Sequence, residues 1–251
     1  MLTIIQVGKD PASCVYIRNK VKAVMEEGMD AQLVTLEATA TTQDVINHVK
    51  RAAECEICRA IIVQLPLPKH VDKEAVLWNI PPEKDIDGLH PHSPYKPLTP
   101  CAIMRWLREK GVKLQGENVA VLGRSNLVGK PLANMLIDAG ATVTVCNSHT
   151  TRPKRDQICK RSKIVISATG NAGVVGWRCV NDRGGQIFID VGINRDAAGK
   201  LCGDVSQEAR QWIEDVGSEC TPVPGGVGRW TVRELVLRLA EMEGRNAAAC
   251  D

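Results

Sequence analysis

Short apolar runs alternate with amphipathic stretches along most of the chain. Runs rich in Val, Ile, Leu and Thr cover residues 2–7, 32–36, 60–65, 118–122, 142–146, 163–168 and 186–191. Their length and β-branched content predict strands. Between most of them apolar positions recur every three to four residues. This predicts helices over 13–27, 42–53, 73–79, 102–110, 131–139, 155–161 and 207–214, and a last helix over about 231–243. Ser13, Thr41 or Thr42, and Thr99 followed by Pro100 are suited to open helices. Gly28 and Gly111 stand where helices should stop. Strands alternating with helices imply βαβ units and parallel sheets.

The stretch 81–100 interrupts this rhythm with six prolines in twenty residues, which no regular element accommodates. It divides the chain into two α/β halves. The expected domains are 1–115, an N-terminal α/β substrate domain, and 116–225, a Rossmann-like domain. Residues 226–251 form a C-terminal segment whose helix returns to the first domain.

Composition narrows this picture. A chain of 251 residues can build two modest cores. Hydrophobic residues make up 44% and aromatics only 3%, so those cores must be Val, Ile, Leu and Ala. That suits parallel strands buried on both faces. The net charge is +3, and no Lys/Arg stripe interleaved with aromatics marks a nucleic-acid surface. The basic run Arg152-Pro-Lys-Arg155 reads as a solvated loop or helix start. No apolar run reaches the ~18–20 residues of a membrane span, and the first residues lack the basic region of a signal peptide. The ten cysteines form no framework. The one C-x-x-C pair, Cys55-Glu-Ile-Cys58, has no second pair to complete a zinc site. It is either a redox pair or two small core residues. No metal and no membrane are expected, and a reducing compartment, the cytoplasm, is.

The run Asn118-Val-Ala-Val-Leu-Gly123-Arg-Ser-Asn-Leu-Val-Gly129-Lys-Pro131 joins a strand, a glycine turn and a helix start. Such a turn offers backbone N–H groups and a positive helix end to a phosphate. The G-x-G-x-x-G spacing is altered: Ser125 and Val128 take the second and third glycine positions, and Gly129 comes one place late. The next strand ends in Asn147-Ser-His-Thr150, without the carboxylate that holds an NAD ribose. The hydroxyls of Ser148 and Thr150 and the cation of Arg124 instead suit a 2′-phosphate, so NADP is the expected cofactor. The alternative is that these polar residues only form a turn. Ser167-Ala-Thr-Gly170 and Asp190-Val-Gly-Ile-Asn194 end two further strands with small residues at the same side of the sheet, where ligands of such folds bind.

In the first half, Ser13, Tyr16 and Lys20 are spaced to share one helix face. Alone, that describes an amphipathic helix with an exposed lysine. Gln64, at the end of the strand over 60–65, is either a satisfied core amide or a site residue. An amide beside a lysine orients it and helps keep it neutral. In Lys84-Asp-Ile-Asp-Gly88, a carboxylate of Asp85 or Asp87 can grip a cyclic guanidine-like edge such as a pterin presents. The alternative is an Asx turn before Gly88. The Tyr-x-x-x-Lys spacing also occurs in short-chain dehydrogenases, but there the glycine loop comes first; the order here is reversed.

Taken together, these segments resemble the bifunctional methylenetetrahydrofolate dehydrogenase/cyclohydrolase family. Ser13-Cys-Val-Tyr-Ile-Arg-Asn-Lys20, Val63-Gln-Leu-Pro-Leu-Pro68, Lys84-Asp-Ile-Asp-Gly88, Leu98-Thr-Pro100, the run from Gly123 to Pro131, Asp190-Val-Gly-Ile-Asn194, Gly203-Asp-Val205 and Thr221-Pro-Val-Pro-Gly-Gly-Val-Gly228 stand in the family's order. The resemblance implies two α/β domains with a folate cleft between them, NADP as cofactor, tetrahydrofolate derivatives as substrates, and usually a homodimer. It implies catalysis by Lys20 with Gln64 as its partner, Tyr16 stacked on the folate rings, and Asp87 on the pterin. The substrate set is Tyr16, Ser13, Asp87, Leu65, Pro224, Gly225 and Gly226. The cofactor set is Gly123, Arg124, Ser125, Ser148, Thr150, Gly170, Ile193 and Thr231. The implied chemistry is hydride removal from 5,10-methylenetetrahydrofolate, then hydrolysis of the methenyl product to 10-formyltetrahydrofolate. The first step needs positioning; the second needs proton transfer, which a lysine of lowered pKa provides.

The chain also departs from the family's pattern. The family carries a further segment before its first strand. It has Cys at the position of Leu98, Lys-Gly or Arg-Gly at Cys101-Ala102, and His at Asn147. After Gly228 it has Pro-Met-Thr, where this chain has Arg229-Trp-Thr231. Trp230 brings bulk and Arg229 brings charge to the boundary between cofactor and folate. Two other readings are a shikimate-dehydrogenase-like oxidoreductase, which Gln64 and Asp87 disfavour, and a degenerate paralogue that binds folate or NADP. The joint presence of Tyr16, Lys20, Gln64 and Asp87 argues against the second.

Overall fold

The computed structural model describes residues 1–196 and 198–244. The chain forms two compact units, Met1–Leu98 joined by the chain from Val232, and Thr99–Thr231.

The first unit contains β1 (Leu2–Val7), α1 (Pro11–Glu26), β2 (Ala31–Leu36), α2 (Thr42–Glu54), β3 (Ala60–Val63) and α3 (Lys73–Trp78). Its sheet is parallel, in the order β2-β1-β3. All six residues of β1, Thr3 and Gln6 included, are buried, because a central strand of a parallel sheet is covered on both faces. Alternate residues serve the two faces. Leu2 and Ile4 pack with Ile17 and Val24 of α1 and with Leu235 and Leu239 near the chain's end. Ile5 and Val7 pack with Val45 and Val49 of α2 and Val76 of α3. Helix α2 opens with a reciprocal capping box between Thr41 and Asp44, worth about 1 kcal/mol.

The second unit begins with α4 (Leu98–Glu109) and continues through β4 (Asn118–Leu122), α5 (Gly129–Asp138), β5 (Thr142–Cys146), α6 (Arg152–Arg161) and β6 (Ile164–Ser167). Then come β7 (Ile187–Asp190), the short antiparallel pair β8 (Asn194–Arg195) and β9 (Leu201–Cys202), α7 (Gln207–Asp215), β10 (Glu219–Cys220) and the start of α8 (Val227–Met242). The main sheet is parallel in the order β10-β7-β6-β4-β5. The chain steps from β4 outward to β5 and returns to β6 on the other side of β4. Open α/β sheets bind ligands at the carboxyl ends of the strands flanking such a reversal. Those ends are Gly123 after β4 and Ala168 to Gly170 after β6.

Several expected boundaries move. Asp10, not Ser13, caps α1, because Pro11 starts the helix two residues earlier. Helix α4 opens at Leu98, so Thr99 and Pro100 lie in its first turn. Helix α5 opens at Gly129, with Pro131 in its first turn, where a missing N–H matters least. Strands β8, β9 and β10 have two residues each, too few for an alternation to register. The units divide after Leu98 and after Thr231 rather than near 115 and 225. Ile103 and Leu107 of α4 and Val227 of α8 are buried with Val119, Ile164 and Ile189 of the second sheet, and this packing moves both boundaries. The last part of the expected C-terminal segment, 245–251, lies outside the described residues.

Candidate active site

In the first unit, three neighbours converge on Lys20. The Lys20 ammonium lies 4.7 Å from the centroid of the Tyr16 ring, one helical turn back on α1. It donates a 3.3 Å hydrogen bond to Gln64 Oε1, just past the end of β3. Gln64 Nε2 donates in turn to the Leu65 carbonyl at 2.7 Å, which fixes the amide so that its oxygen faces the lysine. Lys20 is 3% exposed. Burial pushes its pKa below the ordinary lysine value, and the nearby charge of Asp87 opposes that shift. The exposed lysine of a simple amphipathic helix is therefore not what the fold presents. Ser13 is committed elsewhere: its N–H and hydroxyl both donate to the capping carboxylate of Asp10, at 2.8 and 2.9 Å.

The Lys84-to-Gly88 motif separates into scaffold and site. Lys84 Nζ ties the motif to the end of α2 through the carbonyls of Ala53 and Cys55. Asp85 is fully buried; its Oδ2 accepts from His90 N at 2.7 Å and its carbonyl from Ser93 Oγ at 3.2 Å. The carboxylate therefore holds the loop beyond Gly88 rather than an Asx turn before it, and burial pushes its pKa up. Gly88 adopts φ +69°, and a Cβ there would stand 2.5 Å from the Lys96 carbonyl. Asp87 remains half-buried, with its charge acting on Lys20. Leu65 is half-buried beside Gln64, while Pro224, Gly225 and Gly226 belong to the second unit, just before α8. Cys58 is a core residue, with Sγ 3.2 Å from Thr3 Oγ1, and Cys55 and Cys58 are free thiols.

In the second unit the glycine turn is defined by close backbone approach. A Cβ on Gly123 (φ +108°) would lie 2.4 Å from the Ala168 carbonyl, and one on Gly129 would lie 2.2 Å from the Gly123 carbonyl. Ser125, in place of the middle glycine, turns its Oγ to accept from the N–H groups of Val128 and Gly129 at the start of α5, at 3.2 and 3.4 Å. Thr150 Oγ1 accepts from Asn147 N at 3.1 Å and so holds the turn after β5. Arg124, Ser125, Ser148, Gly170 and Ile193 are exposed at the carboxyl-end loops of this sheet. Thr231 differs from them: it is 4% exposed, and its hydroxyl lies 3.0 Å from the Val227 carbonyl and 3.3 Å from Thr99 Oγ1.

The bulk of Trp230 also has a definite place. Its indole stacks on Trp106 of α4, with centroids 4.5 Å apart and planes 18° from parallel. The Lys110 ammonium lies 5.5 Å from the Trp106 centroid. Arg229 is exposed. Two further carboxylates, Asp190 and Asp204, are buried behind the loops after β6 and β7. In sequence they stand only as parts of motifs, since their partners lie 10 to 37 residues away.

Two domain models of one family cover most of the chain. The catalytic domain of tetrahydrofolate dehydrogenase/cyclohydrolase matches residues 1–87, and the NAD(P)-binding domain of the same family matches residues 97–247. The chain belongs to the tetrahydrofolate dehydrogenase/cyclohydrolase family. The bifunctional protein FolD of Burkholderia multivorans is 40% identical over 259 residues, covering 99% of this chain and 88% of that protein. A Trypanosoma brucei methylenetetrahydrofolate dehydrogenase-cyclohydrolase, solved with NADP and an inhibitor, superposes with a TM-score of 0.89 at 38% identity, over 96% of this chain and 85% of that one. The Campylobacter jejuni enzyme gives 0.88 at 34% identity, over 97% and 87%. A shikimate dehydrogenase of Thermus thermophilus, at 14% identity and a TM-score of 0.59, shares the fold alone. The Lys20, Gln64 and Asp87 positions therefore stand in a dehydrogenase/cyclohydrolase.

Proposed function

We propose that the protein oxidises 5,10-methylenetetrahydrofolate with NADP and hydrolyses the methenyl product to 10-formyltetrahydrofolate, with Lys20 as the group that moves the protons. The observation that carries this reading is the buried Lys20 held between Tyr16 and Gln64, with its pKa lowered by burial. A lysine whose pKa is lowered by burial gives up its proton more readily, and can act first as base and then as acid. Its amine takes a proton from water as the new C–O bond forms at the methenyl carbon. The resulting ammonium returns that proton to N5 as the C–N5 bond breaks, and the carbinol proton leaves to solvent. Gln64 supports both states, because its oxygen accepts an N–H from amine or ammonium alike. Asp87 is the carboxylate left to hold the pterin, and Tyr16 offers a ring face beside it.

The exposed groups of the second unit fit the cofactor. Arg124 and Ser148 supply a cation and a hydroxyl for a 2′-phosphate, and the turn after β5 brings no carboxylate to repel it. Gly123 lets the strand end pack on the Ala168 carbonyl, and Gly170 leaves open space on its loop. When bound, NADP accepts the hydride from the methylene carbon. The homodimer usual in the family belongs to the same proposal, and light scattering checks it.

Both activities are read in one assay that follows NADPH formation and methenyltetrahydrofolate loss separately. In Lys20→Met the hydrolysis should fall by at least about a hundredfold, while NADP affinity stays within about twofold of wild type. Full hydrolysis by that variant overturns the assignment of Lys20.

A further inference from the structure

The carboxylate of Asp204, fully buried, collects five hydrogen bonds from four residues. Its Oδ2 accepts from Ser167 Oγ at 2.8 Å, Thr169 N at 2.7 Å and Thr169 Oγ1 at 2.8 Å. Its Oδ1 accepts from Asn171 N and Asn194 Nδ2, both at 3.0 Å. These donors have a pattern. Thr169 and Asn171 flank Gly170 on both sides, and Asn194 directly follows Ile193. The two loops read as contacts for the nucleotide are thus tied to one another through a single buried group. The loop after β6 also abuts the glycine turn, since a Cβ on Gly123 would lie 2.4 Å from the Ala168 carbonyl.

The surroundings are arranged to keep the carboxylate there. Gly192 must lack a side chain, because its Cβ would stand 2.0 Å from Asp204 Oδ1. Asp190 holds the Asp204 backbone from behind: its two oxygens accept from Asp204 N at 2.8 Å and Val205 N at 3.0 Å. Arg210 closes on Asp190 Oδ2. Two backbone N–H groups and the Asn194 amide donate to the Asp204 carboxylate, and two hydroxyls complete the set.

We propose that Asp204 is a positioning residue for the cofactor. Its carboxylate sets the loop carrying Gly170 and the segment carrying Ile193 against the turn at Gly123. It acts from behind these segments, at a buried position. The proposal rests on the NADP reading above and deepens it.

Asp204→Asn is the diagnostic variant. It is nearly isosteric, but whichever way the amide sits, its NH2 faces a backbone N–H, that of Thr169 or that of Asn171. Asn194→Ala is the milder companion, removing one donor on the Ile193 side. NADP affinity is measured by titration on each folded protein, with KM for NADP, kcat and the separate hydrolysis of methenyltetrahydrofolate. Asp204→Asn should raise the KM and Kd for NADP about ten- to hundredfold, with a smaller fall in kcat and hydrolysis within about twofold of wild type. Asn194→Ala should move the same constants less, in the same direction. NADP affinity within twofold of wild type in a folded Asp204→Asn overturns the proposal. A parallel fall of NADP affinity, hydrolysis and thermal stability also overturns it, since that is loss of fold alone. Should Asp204→Asn not fold, an unchanged NADP KM in Asn194→Ala overturns it instead. A wild-type protein that binds no NADP overturns the cofactor reading and this proposal together, and that result is visible before any variant is made.

Discussion

Around Lys20 the contacts are made by side chains: a phenol ring from the same helix, an amide from the end of a strand, and the charge of a carboxylate in a proline-rich connection. Around Gly123 they are made by backbone: the Ala168 carbonyl against Gly123, and the Gly123 carbonyl against Gly129. The first arrangement tunes one group chemically and can lose function while the fold survives. The second works by excluding atoms, so a single methyl group is too much. The two kinds of site therefore fail differently, and substitutions can tell them apart.

The largest effect should come from Gly129→Ala. Its Cβ would meet backbone, not a flexible side chain, at 2.2 Å. Either α5 shifts off the turn or the strand end moves. Overpacking of this kind costs about 3 kcal/mol or more when the neighbour cannot yield. Thermal unfolding should show the loss, and nucleotide titration should show NADP binding lost with it. A normal Tm and normal NADP affinity in Gly129→Ala would show that the backbone approach is not the constraint described here.

A smaller effect, of a different kind, should appear at Lys20. Its folded pKa lies below the ordinary value of 10.5. Between those two pH values the unfolded chain binds more protons than the folded one, so wild-type stability rises with pH across that window. Below the folded pKa both states carry the proton and the full penalty of the buried charge remains. Lys20→Met removes this titration. The stability of Lys20→Met relative to wild type should therefore be most favourable at low pH and decline as pH rises toward 10.5. Denaturant unfolding at a series of pH values reads this directly, and parallel curves for the two proteins would mean that Lys20 is not strained by burial. No corresponding slope is expected from Gly129→Ala, whose defect carries no charge.

How much of this was legible in the sequence follows the same division. The sequence pattern placed β1, β4 and β5 to the residue, because Val, Ile, Leu and Thr make up most of each run. Lys20 and Tyr16 shared a helix face by arithmetic, and Gln64 stood out as a polar residue at a strand end. What could not be read was which residues of a motif are scaffold. Asp85 is as good a pterin carboxylate as Asp87 in sequence, yet it holds the loop to His90, while Lys84 ties the motif to the end of α2. Ser13 looks like a site hydroxyl, yet it serves the cap on Asp10. Asp204 was invisible for the opposite reason: its partners are Ser167, Thr169, Asn171 and Asn194, and only the folded topology brings them to one carboxylate. Local pattern reports local hydrogen bonds, whereas buried acids satisfied across several loops leave no periodic trace.

The smallest predicted effect concerns the residue that departs most visibly from the family's pattern. Trp230 stacks on Trp106 inside the second unit, so its bulk is taken up by α4. Stacked aromatic pairs contribute about 0.5–1.5 kcal/mol beyond the area they bury. A double-mutant cycle with Trp106→Leu and Trp230→Met should give a coupling energy in that range, with each single variant destabilised by a comparable amount. NADP KM should change by less than about threefold in Trp230→Met, because the ring leans on a helix and not on the turn at Gly123. If the cycle shows no coupling while Trp230→Met alters NADP KM more than tenfold, the indole acts on the cofactor side and the stack is incidental. Either way the outcome sharpens the contrast, since a side-chain contact placed in the backbone-built unit should behave like the contacts around Lys20: adjustable in strength, and separable from the fold.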